Sequence, residues 1–418
     1  MKQLLSALLL LAAPALGQTA PDTAQAPARR PLTAPLASSA APAEAPKKPW
    51  YQAVSIRGYM QVRYNRLLET NPDLKCEQCD KSWGENGGIF FRRIRLIVYG
   101  QLHPRVYFYL QPDFASTPGG SNTGQFAQIR DAYFDVGLDA KSEFRVRLGQ
   151  SKIPYGFENM QSSQNRLPLD RNDALNSAVV NERDLGAFLY WAPTKIRQRL
   201  KALVDDGLKG SGDYGVVAFG VYNGQAANRP EQNNGLHLAA RVSYPIQLGR
   251  QIIEPGLQAY SGRYAITKDQ LSGSVKHNGT LSYLDERAAA SFVLYPQPFG
   301  IQAEYNVGRG PEFNPATDSI ETRRLHGGYV TLSYRAQLAG QQFYPFVRGQ
   351  FYDGGKKYER DARSYQVQEL EIGLEWQPVK YLELVPMYTL SSRRFEDLQT
   401  QGNRQRGRLL RLQAQLNF

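Results

Sequence analysis

Between Glu143 and Asp184 the sequence first alternates and then stops alternating. Phe144, Val146 and Leu148 fall on one face of a two-residue period, with Glu143, Arg145 and Arg147 on the other. Lys152 follows, and from Pro154 to Asp184 there is no sustained period. That segment sets Glu158, Asp170, Asp173, Glu182 and Asp184 against Arg166, Arg171 and Arg183. Guanidinium groups stay charged and match the geometry of phosphate and carboxylate, so the chemistry on offer is reversible recognition of anions. Sorting the other strand charges by the same period adds Arg57, Arg63, Arg93, Arg95 and Arg411 to the basic set. It adds Glu304, Glu369, Glu371, Glu375 and Glu383 to an acidic one. Bond-making chemistry lacks its residues. Of the 4 histidines, His103 falls in a turn, His277 and His326 lie in or beside loops, and only His237 is strand-borne, on the face of Arg241. No Gly-x-Ser-x-Gly elbow and no HExxH motif is present. An enzyme is not expected, and no cofactor or metal is implied.

The elements that must position these charges begin after an export leader. Lys2 precedes an apolar run from Leu4 to Ala13, and Ala15-Leu16-Gly17 offers a small-residue cleavage site, so residues 1–17 read as a signal peptide. Residues 18–49 are rich in Pro, Ala, Ser and Thr and lack the large apolar side chains that offset chain entropy. They read as a disordered periplasmic tether. Residues 50–418 have one texture and no second linker, hence one domain. No stretch approaches eighteen uninterrupted apolar residues, so helical membrane spans are not expected. The net charge of +12, carried by more than twice as much Arg as Lys, favours anionic solutes or lipid head groups over nucleic acid in an exported chain. Abundant tyrosine at a mean hydropathy of −0.48 suits a β protein with half of each strand facing something wet. Cys76 and Cys79, the 2 cysteines, suggest a local disulfide, since a single CxxC supplies too few metal ligands and lacks the βα setting of a redox motif.

Alternating segments recur from Val54 to Phe418, sixteen in all, beginning with Val54–Asn65 and ending with Arg408–Phe418. Their connections alternate too. Turns such as His103-Pro104-Arg105 and Pro378-Val379-Lys380 are short, whereas Arg66–Gly88, Pro154–Asp184 and Ser392–Gly407 are long and polar. In the last segment Leu410, Leu412, Ala414 and Leu416 oppose Arg411, Gln413, Gln415 and Asn417. An even strand number, short turns on one side and long loops on the other predict a transmembrane antiparallel β-barrel of the bacterial outer membrane, apolar outward and polar toward a wet lumen. Sixteen strands enclose an aqueous channel. One connection breaks the rule: Ala192–Asp213 should be short, and it reads as an amphipathic helix on the inner side or as a missed hairpin.

Three stretches resemble the phosphate-selective porin O and P family. They are Arg147-Leu148-Gly149-Gln150-Ser151-Lys152-Ile153-Pro154-Tyr155-Gly156, Glu182-Arg183-Asp184-Leu185-Gly186 and Phe91-Arg92-Arg93-Ile94-Arg95-Leu96. The terminal Phe418 resembles the signal read by the outer-membrane insertion machinery. The resemblance implies a homotrimer of sixteen-stranded barrels whose third long loop, Pro154–Asp184, folds into the lumen as a constriction. It also implies selection of phosphate by wall arginines and a lysine cluster, and this chain has few strand lysines. The expected function is therefore an outer-membrane porin passing small hydrophilic solutes, with anions such as phosphate or organic acids preferred. A basic wall facing the loop acids would set up a transverse field across the constriction. The competing reading is a non-conducting structural or adhesive barrel that acts through its outer loops.

Overall fold

The structure, a computed structural model, describes residues 49–68, 88–116 and 126–418; the leader, the tether up to Lys48, Cys76 and Cys79 lie outside them. Eighteen strand segments follow the alternating pattern. They are β1 (Val54–Leu67), β2 (Gly88–His103), β3 (Val106–Ser116), β4 (Phe126–Gly137), β5 (Phe144–Lys152), β6 (Arg183–Trp191), β7 (Val217–Tyr222), β8 (His237–Ser243) and β9 (Ile246–Leu248). There follow β10 (Gln251–Ala265), β11 (Ser282–Leu294), β12 (Phe299–Asn314), β13 (Ser319–Tyr334), β14 (Ala336–Leu338), β15 (Gln341–Gly355), β16 (Ser364–Val379), β17 (Leu382–Glu396) and β18 (Arg404–Asn417). The short β9 and β14 continue β8 and β13, pairing with the same neighbours, so the wall has sixteen staves. The strands of the wall all pair antiparallel with their chain neighbours, and β1 closes on β18 with Tyr59 opposite Asn417. At the seam Gly58 and Phe418 exchange backbone hydrogen bonds of 2.8 and 3.0 Å. The chain therefore forms a closed 16-stranded antiparallel β-barrel.

The two-residue period sorts the faces as expected. Leu412 and Leu416 are each 42% exposed on the outside, while Arg411 and Gln415, one residue before each, are 1% exposed inside. The interior is filled from both ends. From the long-loop side the segment between β5 and β6 carries two short helices, α1 (Phe157–Met160) and α2 (Asp173–Ala178), and almost all of it is buried. From the short-turn side comes α3 (Thr194–Asp205), so the long connection after β6 holds a helix rather than a hairpin. Ile196, Leu200 and Leu203 of α3 pack against Phe157 of the loop and against Ile252, Val293 and Tyr295 of the wall.

Where these segments dock, the inner face turns apolar. Leu167 and Leu169 bury themselves against Tyr344 and Phe346 of β15 and Val385 and Met387 of β17. That explains why β17 reads Leu384-Val385-Pro386-Met387, apolar on both faces. Two of the β-bulges bear on the loop's surroundings. Opposite Gln61 and Val62 of β1 stand Arg93 and Phe91, which leaves Arg92 as the extra residue. Opposite Gln111 and Pro112 of β3 stand Asp131 and Ile129, which leaves Arg130 extra. An extra residue locally breaks the in–out alternation and re-aims side chains, and each bulge adds an arginine to the inner surface. Pro112 suits that break, having no N–H to donate to a ladder.

The outer face makes a direct prediction. Leu257 lies mid-strand in β10 and is 62% exposed on the apolar side. Leu257→Arg should lower unfolding stability in lipid by about 2–4 kcal/mol, measured by urea titration of the refolded barrel. A loss below half a unit would place this face in water.

Candidate functional site

The third loop is held by its carboxylates, and their partners lie on the wall it crosses toward. Asp170 meets Arg63 of β1 at 3.2 Å and Arg411 of β18 at 2.5 Å. Glu158 accepts from Arg348 of β15 at 2.8 Å, and its second oxygen takes the Asn172 backbone and side-chain N–H groups at 2.8 and 2.7 Å. Asp173 pairs with Arg393 of β17 at 3.0 Å and with Lys356 at 2.5 Å. The short helices are finished by wall charges as well. Glu304 accepts the N–H groups of Phe157 and Glu158 at the start of α1, at 2.6 and 3.0 Å. Lys152 donates to the carbonyls of Asn159, Met160 and Gln161 at its end. Asn172 caps α2 by accepting from Leu175 N–H, and Arg287 donates to the α2 carbonyls of Ala174 and Ser177. Helix ends leave backbone groups unpaired, and oppositely charged side chains satisfy them.

Glu182 ties the loop's return to the barrel. Its carboxylate meets Lys152 at 3.2 Å, Arg166 at 2.6 Å, Arg171 at 3.1 Å and Arg183 at 2.7 Å. Asn181 and Glu182 adopt φ of 62° and 71°, a left-handed backbone that costs energy for residues with a Cβ. The four cations compensate that strain. Asp184 ends the turn by accepting from the N–H groups of Gly224 and Ala226 at 2.8 and 2.9 Å.

On the near wall the balance is reversed. A cavity of about 60 Å³ lies between the loop and strands β2, β4 and β6. Arg92, Arg93, Arg95, Arg130, Arg166, Arg171 and Arg183 line it, against two carboxylates, Asp170 and Glu182. Asp170 and Glu182 are already engaged by arginines of the loop and walls, and Arg95 is partly neutralised by Asp113 at 2.8 Å. The Nε atoms of Arg93, Arg130 and Arg166 find no hydrogen-bond partner among the described residues. Toward the short-turn side a larger cavity of about 440 Å³ opens, with Arg57, Arg145, Arg147 and Lys152 on its lining and Arg183 bordering both spaces.

The expected charges thus separate into groups. Arg93, Arg95, Arg166, Arg171 and Arg183 line the small cavity, and Arg57, Arg145, Arg147 and Lys152 the large one. Arg145 and Arg147 do not stand bare, since Asp213 meets the first at 2.8 Å and Asp135 the second at 2.7 Å. Arg63 and Arg411 face inward but are covered by the loop, so they are its anchors and not pore lining. Glu304, Glu369, Glu371 and Glu375 are likewise corrected: they are covered and engaged by the loop's N–H groups, Arg393, Arg348 with Arg411, and Lys209. Glu383 accepts from Asn417 at 2.8 Å. A single basic wall facing loop acids is therefore not the arrangement: Glu158, Asp170 and Asp173 meet arginines of β1, β15, β17 and β18, while only Asp170 and Glu182 face the seven arginines of the small cavity, which stay in surplus. Arg92, Arg130, Arg348 and Arg393 were missed because strict alternation hides bulged residues and because anchoring partners are distant in sequence. The doubly apolar stretch in β17 was the available signal for where the loop docks.

Over residues 73–418 the chain matches the family described as phosphate-selective porin O and P, and it belongs to that family. It is an outer-membrane porin, a channel for small hydrophilic solutes, and the family and fold are those of channels and not of enzymes. Its fold is similar to the outer membrane channel DcaP of Acinetobacter baumannii, at 15% identity and a TM-score of 0.54 over 87% of this chain and 97% of that one. It is also similar to OmpF of Salmonella typhi, solved with daunomycin, at 12% identity and a TM-score of 0.52 over 87% and 97% of the chains. An anion-selective porin from Comamonas acidovorans gives 11% and 0.50 over 87% and 99%. No curated protein is similar enough in sequence to be matched.

The anchoring carboxylates set a pH dependence. Burial alone would raise Asp170, but Arg63, Arg411 and Arg92 outweigh it and hold the group far below the carboxylate range. Burial opposes Arg393 and Lys356 in the same way at Asp173, which settles at about 2. Lys152, Arg166, Arg171 and Arg183 overcome burial at Glu182 and hold it low. Groups depressed on folding contribute stability that is complete above their unfolded values, about 4, and is lost only as pH falls through the folded ones. The stability removed by replacing Asp170 with Asn should therefore be the same at pH 7 and at pH 4; a difference that shrinks above pH 4 would contradict this anchor. Asp170→Asn leaves Arg63 and Arg411 buried without their shared anion and should cost about 3–5 kcal/mol in urea unfolding.

Proposed function

We propose that this porin prefers anions, and that selection occurs where the third loop faces β2, β4 and β6. The observation that carries the reading is the cavity walled by seven arginines and two already engaged carboxylates. A narrow, low-dielectric passage concentrates the potential of such a charge set, and rings or walls of charge decide which ions enter. Arginine is suited to the task because its fork matches the oxygens of phosphates and carboxylates and it cannot lose its proton. The space is small, so the preferred solutes present a compact oxyanion group. The same proposal includes the homotrimer that the family resemblance implies, a lipid annulus on the exposed apolar face, insertion through the exposed Phe418, and a cleaved leader at 1–17 followed by a periplasmic tether.

Reversal potentials in a salt gradient test the preference. The wild-type channel should report chloride over potassium, and Arg130→Glu should move the potential toward cation preference, because among the described residues Arg130 has only a 3.5 Å ion-pair contact, to Asp113, to lose. Equal permeability in the wild type, or no shift in the variant, would sink the reading. Liposome swelling in organic-acid salts tests conduction itself, since the adhesive-barrel alternative predicts no flux.

A further inference from the structure

The larger cavity has a second character that charge selection does not require. Its wall carries Tyr107 and Tyr109 of β3 and Tyr133 of β4, and Tyr214 covers it from the other side. Tyr109 and Tyr133 stack at 5.2 Å with their planes 14° apart. Tyr99 extends the strip, 6.4 Å from both Tyr107 and Tyr109. At one end the Arg147 guanidinium lies 3.8 Å over the Tyr133 ring, and at the other Arg57 lies 5.4 Å over Tyr99. A polar lumen needs only to be wet; adjacent rings on one inner face form a flat, weakly hydrated surface on which planar groups stack.

The charge around the strip is in surplus at one end. The carboxylates lining the cavity are taken: Asp131 by Arg183 at 2.9 Å, Asp135 by Arg147 at 2.7 Å, and Asp213 by Arg145 and Arg197, each at 2.8 Å. Arg57 and Arg105 also line it, and neither side chain has an ion pair or hydrogen bond among the described residues. Building on the anion-channel reading, we infer that the short-turn half of the lumen is a binding site for planar aromatic carboxylates. The ring would lie along Tyr107, Tyr109 and Tyr133 while Arg57 or Arg105 holds the carboxylate. A volume of about 440 Å³ accommodates a single-ring acid with water.

The test compares two acids of equal charge and similar size, benzoate and cyclohexanecarboxylate, as blockers of chloride current through the whole channel in planar bilayers. Benzoate should block at about threefold to tenfold lower concentration, the range one aromatic stacking contact supplies. It should act more strongly from the short-turn side. Tyr109→Leu should bring the two acids to parity, and Arg57→Gln should weaken both alike. Equal block by the two acids in the wild type overturns the inference, and that comparison needs no variant to fold. The salt-gradient reversal potential, measured on the same wild-type channel, separates this failure from the failure of the anion preference beneath it.

Discussion

The lumen is organised by how the third loop's carboxylates are used. A buried charge left unpaired is costly, and a buried pair is tolerable only with full hydrogen bonding. Glu158, Asp170 and Asp173 meet that requirement by crossing the barrel and docking on Arg348, Arg63 with Arg411, and Arg393. Those four wall arginines become structural, and Glu158, Asp170 and Asp173 are spent on them. What remains beside the passage is arginine from β2, β4 and β6 with too few carboxylates to match it. One constraint thus yields both a fixed loop and a charged opening.

Apolar packing makes the pairing geometry possible. Leu167 and Leu169 seat on β15 and β17, and Tyr155 packs edge-on to Tyr260 at 4.8 Å while donating to Asn306 at 2.6 Å. From the opposite end α3 backs the loop through Phe157. Burying both sides of the loop removes it from competing water, which strengthens its ion pairs. It also divides the lumen. The far half is packed by the loop's side chains, and the two cavities described above lie along the near wall.

The barrel was legible in the sequence because its signal is periodic and its turns alternate in length, both properties of one strand and its neighbour. All sixteen expected strands are present. The third loop was legible as the odd stretch between two patterned ones. The site was only partly so. Arg93 and Arg95 follow from alternation and Arg183 from the unpatterned loop segment, but Arg92 and Arg130 sit at bulges, where counting by two assigns the wrong face. Arg63 and Arg411 were assigned to the correct face and the wrong role, because no local pattern tells an arginine facing water from one beneath a loop. The acids Glu304, Glu369, Glu371 and Glu375 were misread for the same reason. Partners such as Asp170 and Arg411, far apart in the chain, are visible only once the barrel closes.

The division of labour between the two walls can be seen directly. Crystals grown in bromide, with anomalous differences collected at the bromine edge, report where anions settle in the lumen. The account predicts a peak among Arg93, Arg130 and Arg166 and none at Arg63, Arg348, Arg393 or Arg411, whose charges the loop already occupies. A peak at the far-wall arginines, or an empty near wall, would contradict it.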